Sequence, residues 1–160
     1  ELFANGVWGS LSSDPSRRGY HGTALLLVDG SVYSGGGTFR DWDHTRFILP
    51  YLQCGLPRPG WSAPSVPTLL MYDTWYTAGF SLPAGAAISK VVLMRPGSVT
   101  HHWDANQRYE QLEFEPSEDG NDTILLKTPL NEDKAPPGYW MLFLVTAAGT
   151  PSFAQWVQFP

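Results

Sequence analysis

Thr23-Ala-Leu-Leu-Leu-Val-Asp-Gly-Ser-Val-Tyr-Ser34 reads as two short strands folded around Asp29-Gly30. Asp-Gly readily takes the positive backbone angles of a tight hairpin turn, and Gly35-Gly36-Gly37 ends the second strand. The first strand is apolar at nearly every position from Ala24 to Val28. That pattern predicts burial on both faces, as in an inner strand of a propeller blade, rather than the alternation of a half-wet sheet. One hairpin is not stable alone in water, so other β-structure must cover it.

Downstream of the hairpin the pattern breaks. Pro50, Pro57, Pro59, Pro64 and Pro67 crowd a stretch with little alternation, which predicts an irregular linker over 41–67 with at most short strands. From residue 68 onward, strand-like runs recur at 68–72, 87–94, 111–115, 123–127, 139–146 and 154–159. Pro83-Ala-Gly85, Pro96-Gly97, Glu118-Asp-Gly120, Pro136-Pro-Gly138 and Ala148-Gly149 punctuate them. Such spacing predicts an antiparallel β-sandwich of the immunoglobulin-like class over 68–160. Residues 1–40 form a separate unit with the hairpin at its centre.

Composition supports an all-β chain and removes several function classes. Among 160 residues there are 16 Gly and 14 Pro, 14% are aromatic and only 16% charged. A hydrophobic share of 42% is too high for a disordered chain. The formal net charge is −5 and Arg17-Arg18 is the longest basic run in prospect, so there is no footprint for nucleic-acid phosphates. No apolar run approaches the roughly 20 residues of a membrane-spanning helix, and Glu1 opens no signal-peptide pattern. The single cysteine, Cys54, excludes an internal disulfide framework and any multi-cysteine metal site, leaving a half-buried loop thiol or a bond to another chain. Asn121-Asp-Thr123 fits the N-glycosylation acceptor pattern in a polar turn, which points toward export.

Three segments carry a resemblance when taken together and in order. They are Arg18-Gly-Tyr-His-Gly-Thr-Ala-Leu-Leu-Leu-Val-Asp-Gly30, Gly97-Ser-Val-Thr-His101 through Asn106-Gln-Arg108, and Ala135-Pro-Pro-Gly-Tyr-Trp-Met-Leu-Phe143 with Gly149-Thr-Pro-Ser152. They resemble the end of the galactose oxidase-like family of copper-radical oxidases, which includes the glyoxal oxidases and related alcohol oxidases. The resemblance implies the end of a seven-bladed kelch-type β-propeller, here residues 1–40, followed by an immunoglobulin-like (E-set) β-sandwich. It also implies one copper at the propeller axis. Tyr20 would be the axial tyrosine, His21 the first equatorial imidazole and His101 the second, delivered by a sandwich loop. The family's radical cofactor, a cysteine joined by a thioether to another tyrosine, would lie upstream of Glu1, and Cys54 is not that cysteine.

The residue types suit that chemistry on their own terms, since cupric copper favours imidazole nitrogen and phenolate oxygen in a tetragonal arrangement. Neighbours on a regular strand face opposite ways, so Tyr20 and His21 need an irregular backbone to reach one ion, and Gly19 and Gly22 are placed to allow it. Both glycines depart from the family pattern, which commonly has a hydrophobic residue at the first position and a Ser or other residue at the second. His44 and His102 are read as non-ligands, and Gln107 and Arg108 as braces of the His101 loop. Trp75-Tyr76 fits a core strand or a lid at least as well as a sugar platform.

The resemblance implies a secreted oxidase that converts a primary alcohol or aldehyde, with oxygen reduced to hydrogen peroxide and Tyr20 taking the substrate hydroxyl proton. Its expected partners are the N-terminal propeller segment and a small alcohol, aldehyde or carbohydrate substrate, with no nucleic acid and no membrane. Two other classes stay open at this point: a catalytically inactive carbohydrate-binding protein of the same fold, and an extracellular structural component.

Overall fold

The computed structural model describes residues 2–4, 6–37, 43–101, 103–117 and 122–160, with backbone alone at 2–4. The expected turn at 118–120, the acceptor Asn121 and the His102 side chain lie outside the described residues. The strands in chain order are β1 Leu2–Ala4, β2 Val7–Gly9, β3 Thr23–Leu26, β4 Val32–Gly35, β5 His44–Phe47, β6 Gly60–Ser62 and β7 Trp75–Ser81. They continue with β8 Ile88–Arg95, β9 Val99–Thr100, β10 Trp103–Asp104, β11 Arg108–Pro116, β12 Thr123–Lys127, β13 Gly138–Thr146 and β14 Gln155–Phe159. One helical turn, α1 Pro50–Gln53, lies between β5 and β6 and begins on a proline. The chain is all-β, as its turn-rich composition predicts.

The second unit is an antiparallel sandwich with strand order β14-β13-β8-β11-β12-β7-β6. Its two layers share β11, whose Arg108–Leu112 half pairs with β8 and whose Glu113–Pro116 half pairs with β12. A strand that changes partners along its length is how a sheet folds over on itself. Leu70, Val91, Leu93, Leu126, Trp140, Leu142, Leu144, Val157 and Phe159 fill the space between the layers, each at most 1% exposed. Each such side chain contributes roughly 1.5–3 kcal/mol by leaving water.

β13 is apolar at successive positions because both of its faces are covered. Trp140, Leu142 and Leu144 point into that core, whereas Met141 and Phe143 point the other way and pack with Val92, Leu26 and Ala154. Leu26 belongs to β3, so the hairpin of the first unit lies on the outer face of the sandwich. Order β3-β4-β5 makes that first sheet three-stranded. β5 and β6 fall inside the stretch expected as linker, and they belong to the first and second sheets respectively, which leaves a shorter irregular connection around α1. The proline-rich composition of 41–67 hides them because each is only three or four residues long.

Two further details differ from the sequence reading. The hairpin turn runs over Leu27–Gly30, with the Gly30 N–H bonded to Leu27 O and Gly30 at φ 81°, so β3 stops at Leu26. Asp29 turns its carboxylate onto the Ser31 N–H and hydroxyl and onto Arg46, which favours this wider turn. β3 is also only half-buried: Leu26 finds cover on the sandwich and Leu25, on the other face, reaches Gly97, while Ala24 stays exposed.

A seam of polar contacts fixes the hairpin to the sandwich at its turn. Arg58 donates from Nε to Pro151 O at 2.8 Å and from one terminal nitrogen to Asp29 O and Ser152 O, both at 2.7 Å. Its guanidinium lies 4.3 Å from the centre of the Phe153 ring. The Ala154 N–H donates to Val28 O at 2.7 Å.

Candidate metal centre at the junction of two sheets

Tyr20 and His21 occupy the middle of a four-residue turn closed by the Gly22 N–H on Gly19 O at 3.0 Å. The expectation that Gly19 and Gly22 supply the bend needs correcting. His21 itself takes the left-handed backbone, at φ 64°. Gly19 is required for a different reason: a Cβ there would stand 2.8 Å from Gly37 O. Gly36 and Gly37 pass so close to the turn that added Cβ atoms would lie 2.6 Å from His21 O and 2.6 Å from Gly19 N.

Behind the turn sits Arg18, which ties three segments together. It bonds Asp14 through Nε at 3.1 Å, Thr45 at 2.7 Å, and Asp43 through both its carboxylate at 2.9 Å and its carbonyl at 3.1 Å. The Asp14 carboxyl is held well below its usual range by the Ser16 N–H first and by Arg18 second. Asp43 is lowered as well, by the Ser16 hydroxyl and then by Arg18.

His101 arrives from the sandwich. Between β8 and β11 the chain makes the small hairpin β9–β10, in which Thr100 pairs with Trp103 and Val99 with Asp104. His101 stands at its tip with φ 52°. Asp104 closes the base, accepting on Oδ1 the N–H groups of Asn106 at 2.9 Å, Ser98 at 3.0 Å and Gln107 at 3.0 Å. These three donors hold its carboxyl below the usual range, Asn106 foremost. A Cβ at Gly97 would meet Asp104 Oδ2 at 2.5 Å and the Leu25 side chain of β3 at 3.1 Å. The hairpin base therefore rests directly on the blade strand that follows His21.

That docking brings the three expected residues side by side. Ring centroids are 3.9 Å apart for Tyr20 and His21, 5.0 Å for His21 and His101, and 5.4 Å for Tyr20 and His101. Two imidazoles bound to one ion at about 2 Å per bond bring their centroids to roughly 4–6 Å. Two nitrogen donors and one phenol oxygen suit cupric copper. Non-glycine residues at positive φ are costly by about 1 kcal/mol or more, and only His21, Asp73 and His101 adopt it among the described residues. Two of the three are thus the facing histidines.

Other sequence-level assignments resolve differently. His44 stacks on Tyr33 at 5.6 Å, away from the three rings. Among the described residues, Gln107 braces the His101 loop through its backbone N–H alone and the Arg108 side chain meets no acceptor; Asp104 and Asn106 do that work. Asp104 was legible only as an acid in a turn-prone stretch. Cys54 is exposed rather than half-buried. Trp75 and Tyr76 open the strand β7, where Tyr76 packs on the core.

The family model for the galactose oxidase-like early set domain matches residues 58–159, and the chain belongs to that family. A galactose oxidase of Gibberella zeae is 30% identical over 147 residues, covering 88% of this chain and 21% of its own length. The aldehyde oxidase GLOX1 of Arabidopsis thaliana is 27% identical over 160 residues, covering 88% of this chain and 26% of its own. Among solved structures, a fungal alcohol oxidase of the AA5 family in complex with copper superposes with a TM-score of 0.81 at 26% identity. That match covers 96% of this chain and 34% of the other. The chain thus spans about a fifth to a quarter of the length of the curated relatives it matches.

Proposed function

We propose that this chain forms the copper-holding face of a secreted oxidase that converts a primary alcohol or aldehyde and reduces oxygen to hydrogen peroxide. The observation that carries the reading is the meeting of Tyr20, His21 and His101 from two separate sheets, with both histidines in a costly backbone conformation. The imidazoles of His21 and His101 and the phenol of Tyr20 are the proposed ligands. Copper bound there would supply Lewis acidity toward the substrate hydroxyl and one of the two electron equivalents. Tyr20 Oη is the proposed acceptor of the substrate hydroxyl proton, a role favoured by the acidity of a metal-polarised hydroxyl. Tyr20 is 57% exposed, which leaves room for a small substrate beside it.

The rest of the reaction is assigned, on this reading, to parts beyond these residues, since the chain spans about a fifth to a quarter of the length of its curated relatives. The thioether-linked Cys–Tyr radical cofactor and the substrate pocket belong, on this reading, to an N-terminal propeller portion seated against the blade sheet. An open face supports such a partner. Tyr109, Met94, Met141 and Trp156 form one cross-strand row whose two methionines belong to the patch that Leu26 packs on, and whose aromatic ends stay open. Tyr109 is 54% and Trp156 44% exposed. The Tyr139 and Trp156 rings stand at 89° to each other, which suits protein packing better than a flat stacking platform for sugar.

Copper titration of the chain tests the ligand set. One copper per chain is expected, with sharply weaker binding in H21A and in H101A. Equal binding by the double variant H21A/H101A would remove the proposal. In the protein that carries this chain together with its propeller portion, Y20F should keep copper and lose peroxide production by roughly 10²- to 10⁴-fold.

A further inference from the structure

At the tip of the β9–β10 hairpin, Thr100 Oγ1 lies 2.7 Å from His101 Nδ1. A ring nitrogen engaged at that distance has its lone pair or its proton committed, so Nδ1 is closed to a metal and Nε2 is the remaining nitrogen of the ring. The direction of the bond then matters. If the hydroxyl donates, the ring proton sits on Nε2 and both nitrogens are closed. If Nδ1–H donates to the hydroxyl, Nε2 presents a lone pair. Free imidazole side chains prefer the proton on Nε2, the tautomer that does not suit Nε2 ligation, so something must invert the preference for His101 to receive a metal without rearrangement.

We propose that Thr100 is a positioning residue that accepts the Nδ1–H of His101, fixing the ring so that Nε2 is the metal-facing nitrogen before any metal arrives. This rests on His101 being a ligand, as argued above. The surroundings favour a fixed geometry. Asp104 gathers the Ser98, Asn106 and Gln107 N–H groups, Asn106 Nδ2 bonds Pro96 O at 3.0 Å, and the Ala105 N–H bonds Ser98 O at 3.2 Å. The base of the hairpin is thereby held, and Thr100 is locked in register opposite Trp103. With the strand fixed, the remaining freedom of the site is the ring orientation and tautomer of His101, which the Thr100 hydroxyl addresses directly. Partners of this kind behind metal-bound histidines typically change metal affinity 10- to 100-fold when removed.

The test compares T100V, T100S and H101A in the whole 160-residue chain, with two readouts. The first is the imidazole ¹⁵N spectrum without metal, which reports the tautomer of His101. The second is copper affinity by titration. The expected spectrum shows the proton on Nδ1 in the unsubstituted chain and in T100S, and a shift toward Nε2–H in T100V. The expected affinity falls about 10- to 100-fold in T100V, with T100S restoring most of it and the thermal unfolding midpoint unchanged, since Thr100 is exposed. An Nε2–H tautomer in the unsubstituted chain overturns the inference, as does T100V binding copper like the unsubstituted chain while H101A does not. If H101A itself leaves copper binding intact, the ligand reading fails and takes this inference with it.

Discussion

Replacing Arg58 by Met should separate the blade hairpin from the sandwich without emptying either core. The guanidinium makes three hydrogen bonds to carbonyl oxygens, at 2.7, 2.7 and 2.8 Å, and lies against Phe153. Bonds from a charged donor are worth about 1.5–3 kcal/mol each when removed singly, but three carbonyls sharing one cation do not add, and those reached by water recover part of the loss. The contact with Phe153 contributes about 0.5–1 kcal/mol more. Burial already disfavours the charge on Arg58, lowering its pKa, so the net figure falls toward the lower part of the sum, about 2–4 kcal/mol. Met retains much of the apolar stem, which isolates the polar contribution. The reporter is the Ala154 amide, whose bond to Val28 O crosses the seam. Its hydrogen exchange should accelerate by about 30- to 700-fold in R58M, while amides of the β13–β8 ladder change little. R58K keeps the charge but lacks the planar fork, and should fall between. Exchange at Ala154 within threefold of the unsubstituted chain would refute the idea that Arg58 holds the two units together.

Two other perturbations follow from the same geometry. In G36A the new Cβ would stand 2.6 Å from His21 O on a residue at φ 73°, so the turn carrying Tyr20 and His21 must shift; about 1–3 kcal/mol of stability should be lost and copper affinity should fall with it, as read by thermal unfolding and titration. Acid should loosen the same region: Asp14, Asp43 and Asp104 all titrate lower folded than unfolded, so their stabilisation is full above about pH 4 and drains away as pH falls below it. Thermal midpoints between pH 7 and pH 2.5 should decline less steeply in D14N than in the unsubstituted chain.

Much of the fold was legible because local chemistry and tertiary packing agree. Asp29-Gly30 marks a hairpin in any context, and the strand-like run at 139–146 after Pro136-Pro-Gly138 becomes β13. Where the reading fell short, the cause was a contact distant in sequence. β7 contains Ala78 and Gly79, weak strand formers, yet Gly79 is needed because Ala63 O would be 2.1 Å from a Cβ there. No pattern within β7 signals that approach. Arg58 is likewise an unremarked arginine among prolines until Pro151 and Asp29 are folded against it. Tyr20, His21 and His101 could be named from short motifs, whereas the devices that aim them could not: the left-handed backbone of both histidines, the Asp104 clamp and the Thr100 hydroxyl depend on the hairpin being built first.

The seam and the proposed copper site are one thermodynamic unit, because His21 follows the blade sheet and His101 follows the sandwich. An ion that needs both imidazoles binds only the docked arrangement, and so stabilises docking by RT ln(1 + [L]/Kd), about 2.7 kcal/mol at a hundredfold excess over Kd. That is the size of the loss expected from R58M. On the proposed ligand set, copper at that concentration should slow Ala154 exchange in R58M by about a hundredfold, back toward the unsubstituted rate. The same copper should do nothing for R58M/H101A, which retains the damaged seam but lacks one of the two anchors. Equal protection of both variants would mean that copper acts elsewhere on the chain, and the coupling between seam and site would be lost.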